Sequence, residues 1–259
     1  IDIGNGNEIN LSTQRSVTVE STARLSIKSG TARVGNYNGD QTYHLILSGA
    51  LEILGGKLYV GHESRVRYSS IKYSPAGLPS ITISGGQLIV NGAIRRQDGQ
   101  LLGSLIYNQT GGDVIVMGKN RAAENDSGNN NLSLALFEVL STGEFTMKDG
   151  TLQVYGVDPR NNEANTAAGD IFICASKANN TGGRIIVGNG TTATEQKLIA
   201  NISLNNLIIN PYASVGVYGY PLEAKDITIE NHGNLLLKGH DLTIRHGLYN
   251  RNATTELGS

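Results

Sequence analysis

The sequence has no tryptophan, one cysteine, three phenylalanines and five prolines in 259 residues. Because Cys174 has no second cysteine to pair with, the fold cannot depend on an internal disulfide. Charged residues make up 17% of the chain, too few for a long charged coiled coil, while hydrophobic residues at 39% are too many for general disorder. The balance of 21 Lys and Arg against 22 Asp and Glu argues against nucleic acid as a partner.

Long apolar runs are also missing. A helix that crosses a bilayer needs about 20 apolar residues, whereas stretches such as Leu235–Leu237 have the length of a strand. We therefore expect no direct membrane insertion. The chain opens on Ile1-Asp2-Ile3-Gly4 without Met or a signal-peptide pattern, which we interpret as a processed or excised piece.

Glycine is abundant, with 33 residues, and much of it belongs to one recurring pattern. The pattern is apolar-x-apolar, a turn that contains Gly, apolar-x-apolar again, and usually another Gly. Copies that repeat this closely indicate a repeat architecture rather than a chance similarity. Seven clear copies occur, at residues 51–61, 81–92, 105–118, 145–156, 171–188, 207–219 and 227–239.

The period of two within each triplet predicts very short strands with two side chains on one face. A strand of three or four residues cannot bury a core alone, but stacked on similar neighbours it contributes one layer of a continuous apolar column. Gly at the corner permits positive φ and a sharp bend. The corners at Gly56, Gly86 and Gly112 are 30 and 26 residues apart, which fits one coil with an outward loop on some turns.

These features predict an all-β protein built as a parallel β-helix (β-solenoid), right-handed and pectin-lyase-like, with loops between the coils. A β-sandwich or barrel also contains many short strands and remains the alternative. We expect residues 1–259 to form one elongated solenoid. Because repeat-like sequence continues to Leu242-Thr243-Ile244, we expect it to be a fragment of a longer repeat protein.

The Gly-Gly-x-Leu-x-Val pattern and the closing Lys238-Gly239-His240-Asp241-Leu242-Thr243-Ile244 resemble the repeats of very large secreted β-helix proteins. These include surface adhesins of Bacteroidetes type and, more loosely, filamentous-haemagglutinin and autotransporter passengers. The resemblance covers roughly residues 15–250 and is one of composition and period. It implies a secreted, cell-surface location, an adhesive or stalk-like role, and secretion-machinery or outer-membrane partners of the full-length protein. It implies no catalytic residue.

Ligand-binding residues are expected in the loops that leave the repeats, because loops on one face of a solenoid commonly bind. Five longer loops are predicted, at 62–80, 93–104, 119–131, 157–170 and 189–200. The first also contains His62 and Glu63, and it has a basic and aromatic character that suits an acidic glycan, although an ordinary solvated loop is the alternative. The candidate ligand-binding residues are Arg65, Arg67, Tyr68, Lys72 and Tyr73, with Arg95 and Arg96 in the second loop if the two stack.

Catalytic, cofactor and metal sites are not predicted. A β-helix enzyme acting on polysaccharide would use clustered or paired carboxylates, but the aspartates stand singly in the sequence. His232, His240 and His246 lack the further ligands of a zinc site. The sequence therefore favours a structural and adhesive module that presents loops on a stiff rod to a glycan or cell-surface ligand. A polysaccharide lyase or glycoside hydrolase, and a spacer without a ligand, are the alternatives.

Overall fold

A computed structural model describes residues 2, 4, 6–35, 42–62, 69–75, 77–97, 103–118, 135–157, 169–191 and 195–251. These residues form strands and turns and contain no helix. The strands in chain order are β1 (Glu8–Ser12), β2 (Val17–Val19), β3 (Arg24–Ile27), β4 (Thr31–Val34), β5 (Leu45–Leu47), β6 (Ala50–Ile53), β7 (Lys57–Val60), β8 (Ile71–Tyr73), β9 (Ser80–Ile83), β10 (Gln87–Val90), β11 (Ile94–Arg96), β12 (Ile106–Val116), β13 (Phe137–Val139), β14 (Glu144–Val154), β15 (Ile171–Ile173), β16 (Lys177–Asn180), β17 (Arg184–Val187), β18 (Glu195–Ala200), β19 (Leu204–Ile209), β20 (Ser214–Val217), β21 (Leu222–Ile229), β22 (Asn234–Leu236) and β23 (Leu242–Asn250).

The strands form two sheets, and in each sheet the strands that pair with each other are far apart in the sequence. A nine-stranded sheet has the order β2-β5-β8-β11-β13-β15-β18-β20-β22, and a 14-stranded sheet contains the remaining strands. Pairings within the nine-stranded sheet are parallel, as between β5 and β8, and so are those within the larger sheet, as between β7 and β10. Parallel stacks of this kind are consistent with the predicted β-solenoid. A sandwich or barrel of antiparallel hairpins, the alternative, does not fit the pairings in the described residues.

Each coil contributes one strand to the nine-stranded sheet. Partners on successive coils are separated by between 19 residues, from Leu198 to Val217, and 43 residues, from Ile94 to Phe137. The variation lies in the number of residues between the paired strands. The register of the stack is therefore independent of coil length, as expected for a solenoid whose insertions are loops.

The core is one continuous apolar column between the sheets. Alternation along strands such as β6 and β7 turns Leu51, Ile53, Leu58 and Val60 inward, where they are at most 1% exposed. Each inward Leu or Ile that is fully buried stabilises the fold by about 1.5–3 kcal/mol. In the middle coils the column becomes aromatic, because Tyr107 stacks on Phe145 at 5.3 Å between ring centroids.

The predicted glycine corners at Gly86 and Gly112 are confirmed, whereas Gly56 does not have a positive φ. Gly86, Gly112 and Gly150 have φ values of 67°, 66° and 89°, which favour glycine. They also lie directly above one another, because a Cβ on Gly112 would stand 2.7 Å from the carbonyl oxygen of Gly86. The corner between two strands of the 14-stranded sheet is thus a column of glycines in which backbones of neighbouring coils touch.

Two of the seven repeat copies belong to another corner, and a third, whose Gly182-Gly183 pair lies at this same corner, differs in its first triplet. In the copy at 171–188 the first triplet is β15, a strand of the nine-stranded sheet, while the strand before Gly182 is the exposed and polar β16. The copies at 207–219 and 227–239 run from the large sheet into the nine-stranded sheet. Because every corner of a solenoid joins two short apolar strands, the same sequence pattern describes more than one of them.

Candidate functional site

The structure places the predicted ligand-binding residues in two groups. Arg65, Arg67 and Tyr68 lie outside the described residues. Lys72 and Tyr73 belong to β8, and Arg95 and Arg96 belong to β11. Residues 62–80 and 93–104 are predicted to be loops, and this prediction is wrong for the parts that form β8 and β11. The predicted loop at 189–200 is likewise wrong for residues 195–200, which form β18.

The condition that the two basic segments stack on each other is met, but by buried strands rather than by loops. Arg95 pairs with Lys72, and Arg96 pairs with Tyr73, across adjacent strands. These four side chains are 0–6% exposed. These side chains are therefore buried in the stack and do not form an open surface. This corrects the interpretation of the four residues as part of an accessible, ligand-binding loop.

Glu138 of β13 lies beside this basic group and explains part of its burial. Its Oε2 is 3.2 Å from Nη1 of Arg96, and its Oε1 accepts a hydrogen bond of 2.8 Å from the Tyr73 hydroxyl. Burial, followed by the adjacent Glu138 carboxylate, raises the pKa of Tyr73 well above its ordinary value. Sequence reasoning missed this pairing because Glu138 is 42 residues from Arg96.

The cysteine and two of the histidines considered in the sequence analysis pack against, or pair with, neighbouring residues of the fold. Cys174 is buried, and burial raises the pKa of its thiol to about 11, which disfavours the thiolate. His246 lies 2.6 Å from Asp226, and the His232 ring stacks on Tyr212 at 5.0 Å. In the described part of the chain, no three His, Cys, Asp or Glu side chains group together as metal ligands.

The open site lies along the glycine column. Where strands of the large sheet bend at the corner, two shallow pockets lie on adjoining coils along the stack, and we treat them as the two wider parts of one groove. The first, of about 260 Å³, is lined by Gly30, Gly56 and Gly86 with polar side chains beside them. The second, of about 470 Å³, is lined by Gly112, Gly150 and Gly183 in the same way. We call this feature the corner groove.

One polar side chain per coil stands at the same register position in this groove. Parallel pairing joins Thr31 to Lys57, Lys57 to Gln87, Gln87 to Asp113, Asp113 to Thr151 and Thr151 to Arg184. Asn206 continues the series, because the residues that follow Arg184 and Asn206 pair with each other. We call these residues the corner row: Thr31, Lys57, Gln87, Asp113, Thr151, Arg184 and Asn206.

Internal hydrogen bonds hold the groove walls in place. Nε of Arg184 donates to the Thr151 hydroxyl at 3.0 Å, and the Asn206 amide donates to the Gly183 carbonyl at 3.2 Å. Beneath the corner, the buried Gln109 amide donates to the carbonyls of Gly112 and Thr151, each at 3.0 Å. These bonds fix the corner backbone, so the members of the row follow one another at the strand spacing of about 4.8 Å, although Thr151 itself is only 7% exposed.

The repeat pattern contains the signal for this row. The residue after each Gly-Gly pair is polar in Lys57, Gln87, Asp113 and Arg184, although the pattern treats it only as the first residue of a strand. The sequence alone does not show that these positions are aligned with one another across the paired strands. That requires the pairing of coils of unequal length.

Comparison of the chain with protein-family models, with curated proteins and with solved structures found no match. Within the described ranges, no helix is long and apolar enough to cross a membrane. The assignment of function therefore depends on the corner groove and on the chemistry of its residues.

Proposed function

We propose that this chain is a structural and adhesive module of a large secreted bacterial cell-surface protein, which binds glycans along the corner groove of a stiff rod. The observation that carries this proposal is the corner row, which repeats a polar side chain at each coil over seven coils. Ligand contact through many weak and equally spaced groups suits a polymer, since each repeat unit meets a similar surface.

The rest of the architecture supports a rod. Backbone hydrogen bonds join successive coils at the corner itself, for example from Lys57 N to Gly30 O at 2.8 Å and from Gln87 N to Gly56 O at 2.9 Å. A surface fixed in this way is organised before the ligand arrives, which reduces the entropy lost on binding. We propose further that the coils are right-handed and pectin-lyase-like, and that secretion-machinery or outer-membrane partners act on the full-length protein, as the repeat resemblance implies.

The adhesive proposal is tested by affinity electrophoresis through gels that contain plant, algal or host polysaccharides. Retardation without loss of the embedded polymer is the expected result. Unchanged mobility in every gel would contradict glycan binding and favour a spacer without a ligand. The protein is compared with a variant that carries Gln87→Leu, which removes a hydrogen-bonding group from the groove while keeping a side chain of similar size.

One observation supports a second candidate function, a polysaccharide lyase or glycoside hydrolase. Asp113 and Asp149 line the same part of the corner groove, together with Arg184. Glycosidases use a pair of carboxylates on either side of the bond that is cleaved. A cleared track in a polysaccharide gel would support this function, and loss of clearing in an Asp149→Asn variant would assign it to the groove. We favour the adhesive function because the row extends far beyond this pair.

A further inference from the structure

The corner row has a regular charge pattern that bears on the choice of glycan. Register extends the row at both ends, from Thr31 to Glu8 and from Asn206 to Asp226. Read along the stack, the row is then acidic, neutral, basic, neutral, acidic, neutral, basic, neutral and acidic. Its nine members in this order are Glu8, Thr31, Lys57, Gln87, Asp113, Thr151, Arg184, Asn206 and Asp226.

The spacing of these charges cancels their long-range field. Charges of opposite sign are two coils apart, or about 10 Å at the spacing of parallel strands, which is close to the Debye length in about 0.1 M salt. The lining of the two wider parts is also balanced, with Lys57 and Arg184 against Asp113 and Asp149. A polyanion or polycation in the two wider parts would meet two repulsive and two attractive charges, and along the whole row it would meet three acidic and two basic residues.

An apolar stripe runs beside the row on the same face of the sheet. Two positions along each strand from the row, register joins Tyr59 to Ile89, Ile89 to Ile115, and Ile186 to Ile208. Ile115, Ile186 and Ile208 are partly exposed, and Ile89 is 8% exposed. Tyr59 is also partly exposed, but the Arg33 guanidinium lies over its ring at 4.2 Å from the centroid. Gln153 interrupts the stripe between Ile115 and Ile186. The face thus offers hydrogen-bonding groups and apolar surface side by side.

A sugar chain has the matching chemistry, since its rings have apolar C–H faces and hydroxyl-bearing edges. A peptide that adds as a strand fits less well, because β7, β10, β12 and β14 are each paired on both sides and offer it no open edge. The charge pattern then selects among sugar chains.

We propose that the ligand of the corner groove is an uncharged polysaccharide, bound in an extended form parallel to the axis of the coils. Its hydroxyls exchange hydrogen bonds with the corner row, and its ring faces lie on the apolar stripe. This inference rests on the proposed adhesive function and narrows it, whereas the basic segments of the sequence had suggested an acidic glycan.

The test compares neutral polysaccharides (hydroxyethyl cellulose, galactomannan and mixed-linkage glucan) with acidic ones (polygalacturonate and alginate) in affinity gels. Calorimetric titration with the neutral polymer is repeated at low and high salt. We expect retardation by at least one neutral polymer, a Kd that changes less than about twofold with salt, and no retardation by the acidic polymers. Gln87→Leu with Thr31→Val should weaken binding about tenfold, through two lost hydrogen bonds.

Two further variants sharpen the result. Thr82→Val replaces an outward threonine of β9 outside the groove and should leave the Kd unchanged. Asp113→Lys places three cations at successive charged positions of the row and should create retardation by polygalacturonate.

Retardation of the wild-type protein by acidic polymers alone, or a strongly salt-dependent Kd, would overturn this inference and leave the adhesive function intact. Neutral-polymer binding that the Gln87 and Thr31 changes do not affect would also overturn it. No retardation by any polymer would contradict the adhesive function itself.

Discussion

Arg96 and Glu138, on the neighbouring strands β11 and β13, form an ion pair of 3.2 Å in which the side chains are 7% and 1% exposed. The same carboxylate accepts hydrogen bonds from the Arg96 backbone N–H at 3.0 Å and from the Tyr73 hydroxyl at 2.8 Å. Removing the carboxylate charge would take this counter-charge away from a buried guanidinium. Loss of one partner from such a pair costs more than the pair itself contributes.

Glu138→Gln is therefore expected to destabilise the protein by about 3 kcal/mol, although the amide keeps the shape of the side chain. The matched control is Glu144→Gln. Glu144 pairs with Lys177 at 2.6 Å, but the two side chains are 39% and 77% exposed, so this change should cost less than about 1 kcal/mol. Urea unfolding followed by circular dichroism measures both. Equal shifts of the midpoint would contradict the structural role of the buried pair.

The sequence was sufficient to predict an all-β stack of short parallel strands because the period of the pattern is local. Apolar alternation in β6, β7, β9 and β10 and the glycines between them are all visible within ten residues. The basic segments could not be placed in the same way. Lys72 and Arg95 interrupt the apolar pattern, and only the pairing of β8 with β11 and β13 shows that such side chains stack in a buried layer with Glu138.

The groove was predictable in part. Polar residues after the glycine pairs are visible in the sequence, but the register that aligns Asp113 with Thr151 joins residues 38 apart and cannot be read from the local pattern. Thr151 also follows a single glycine rather than a pair, because Asp149 occupies the position before Gly150. Long-range pairing, not local propensity, decides these positions.

Gly86→Ala is expected to destabilise the protein by about 3 kcal/mol or more, because two effects combine. The residue has φ of 67°, and a Cβ would also press into the carbonyl oxygen of Gly56 and the carbonyl carbon of Gly55. These are backbone atoms of the coil below, so relief requires the coils to separate. The midpoint of urea unfolding measures the effect.

Gly190→Ala separates the two contributions. Gly190 has φ of 84°, and no atom of the described residues lies within 4 Å of a Cβ placed there, so its replacement adds backbone strain without a clash with them. The expected cost is about 1–2 kcal/mol. If the Gly86 and Gly190 variants lost the same stability, the stacking of glycines at the corner would not contribute beyond the φ requirement.

The free energy of unfolding should fall at alkaline pH. Burial raises the pKa of Tyr107, whose hydroxyl donates a 2.6 Å hydrogen bond to Gln109, and burial also raises the pKa of Tyr73. Below pH of about 10, both phenols are protonated whether the chain is folded or unfolded. Above it the unfolded chain loses these protons while the folded chain keeps them. Each tyrosine then lowers stability by up to about 1.4 kcal/mol per pH unit.

Tyr107→Phe removes one of the two phenols whose proton is lost on unfolding at alkaline pH. The slope of stability against pH above about 10 should become less steep by up to about 1.4 kcal/mol per unit, even though the variant is less stable at neutral pH because Gln109 loses its donor. Tyr249→Phe is the control, since Tyr249 is 47% exposed, and it should leave the slope unchanged. Urea titrations at a series of alkaline pH values give both slopes. A slope that Tyr107→Phe does not alter would show that its phenol titrates normally.

Stability should vary along the stack, because each coil contacts only its neighbours. The strands β12 and β14 are paired on both sides around the stacked rings of Tyr107 and Phe145, whereas β23 pairs with β21 alone among the described strands and its side chains are partly or fully exposed. Backbone amides of β12 and β14 should therefore exchange with solvent more slowly than those of β23, with β21 intermediate. Hydrogen exchange followed by mass spectrometry measures all three.

Phe145→Leu tests whether this gradient reflects coupling between neighbouring coils. Loss of the ring stack with Tyr107 should speed exchange in β12 and β14 and leave β23 unchanged, because several coils separate them. Conversely, if the substitution accelerated exchange equally in β12, β14 and β23, the coils would unfold as one cooperative unit, and the rod would lack the local independence of a repeat protein. The Glu138→Gln variant provides a second test of local coupling, since it should accelerate hydrogen exchange most in the coils that contain β11 and β13.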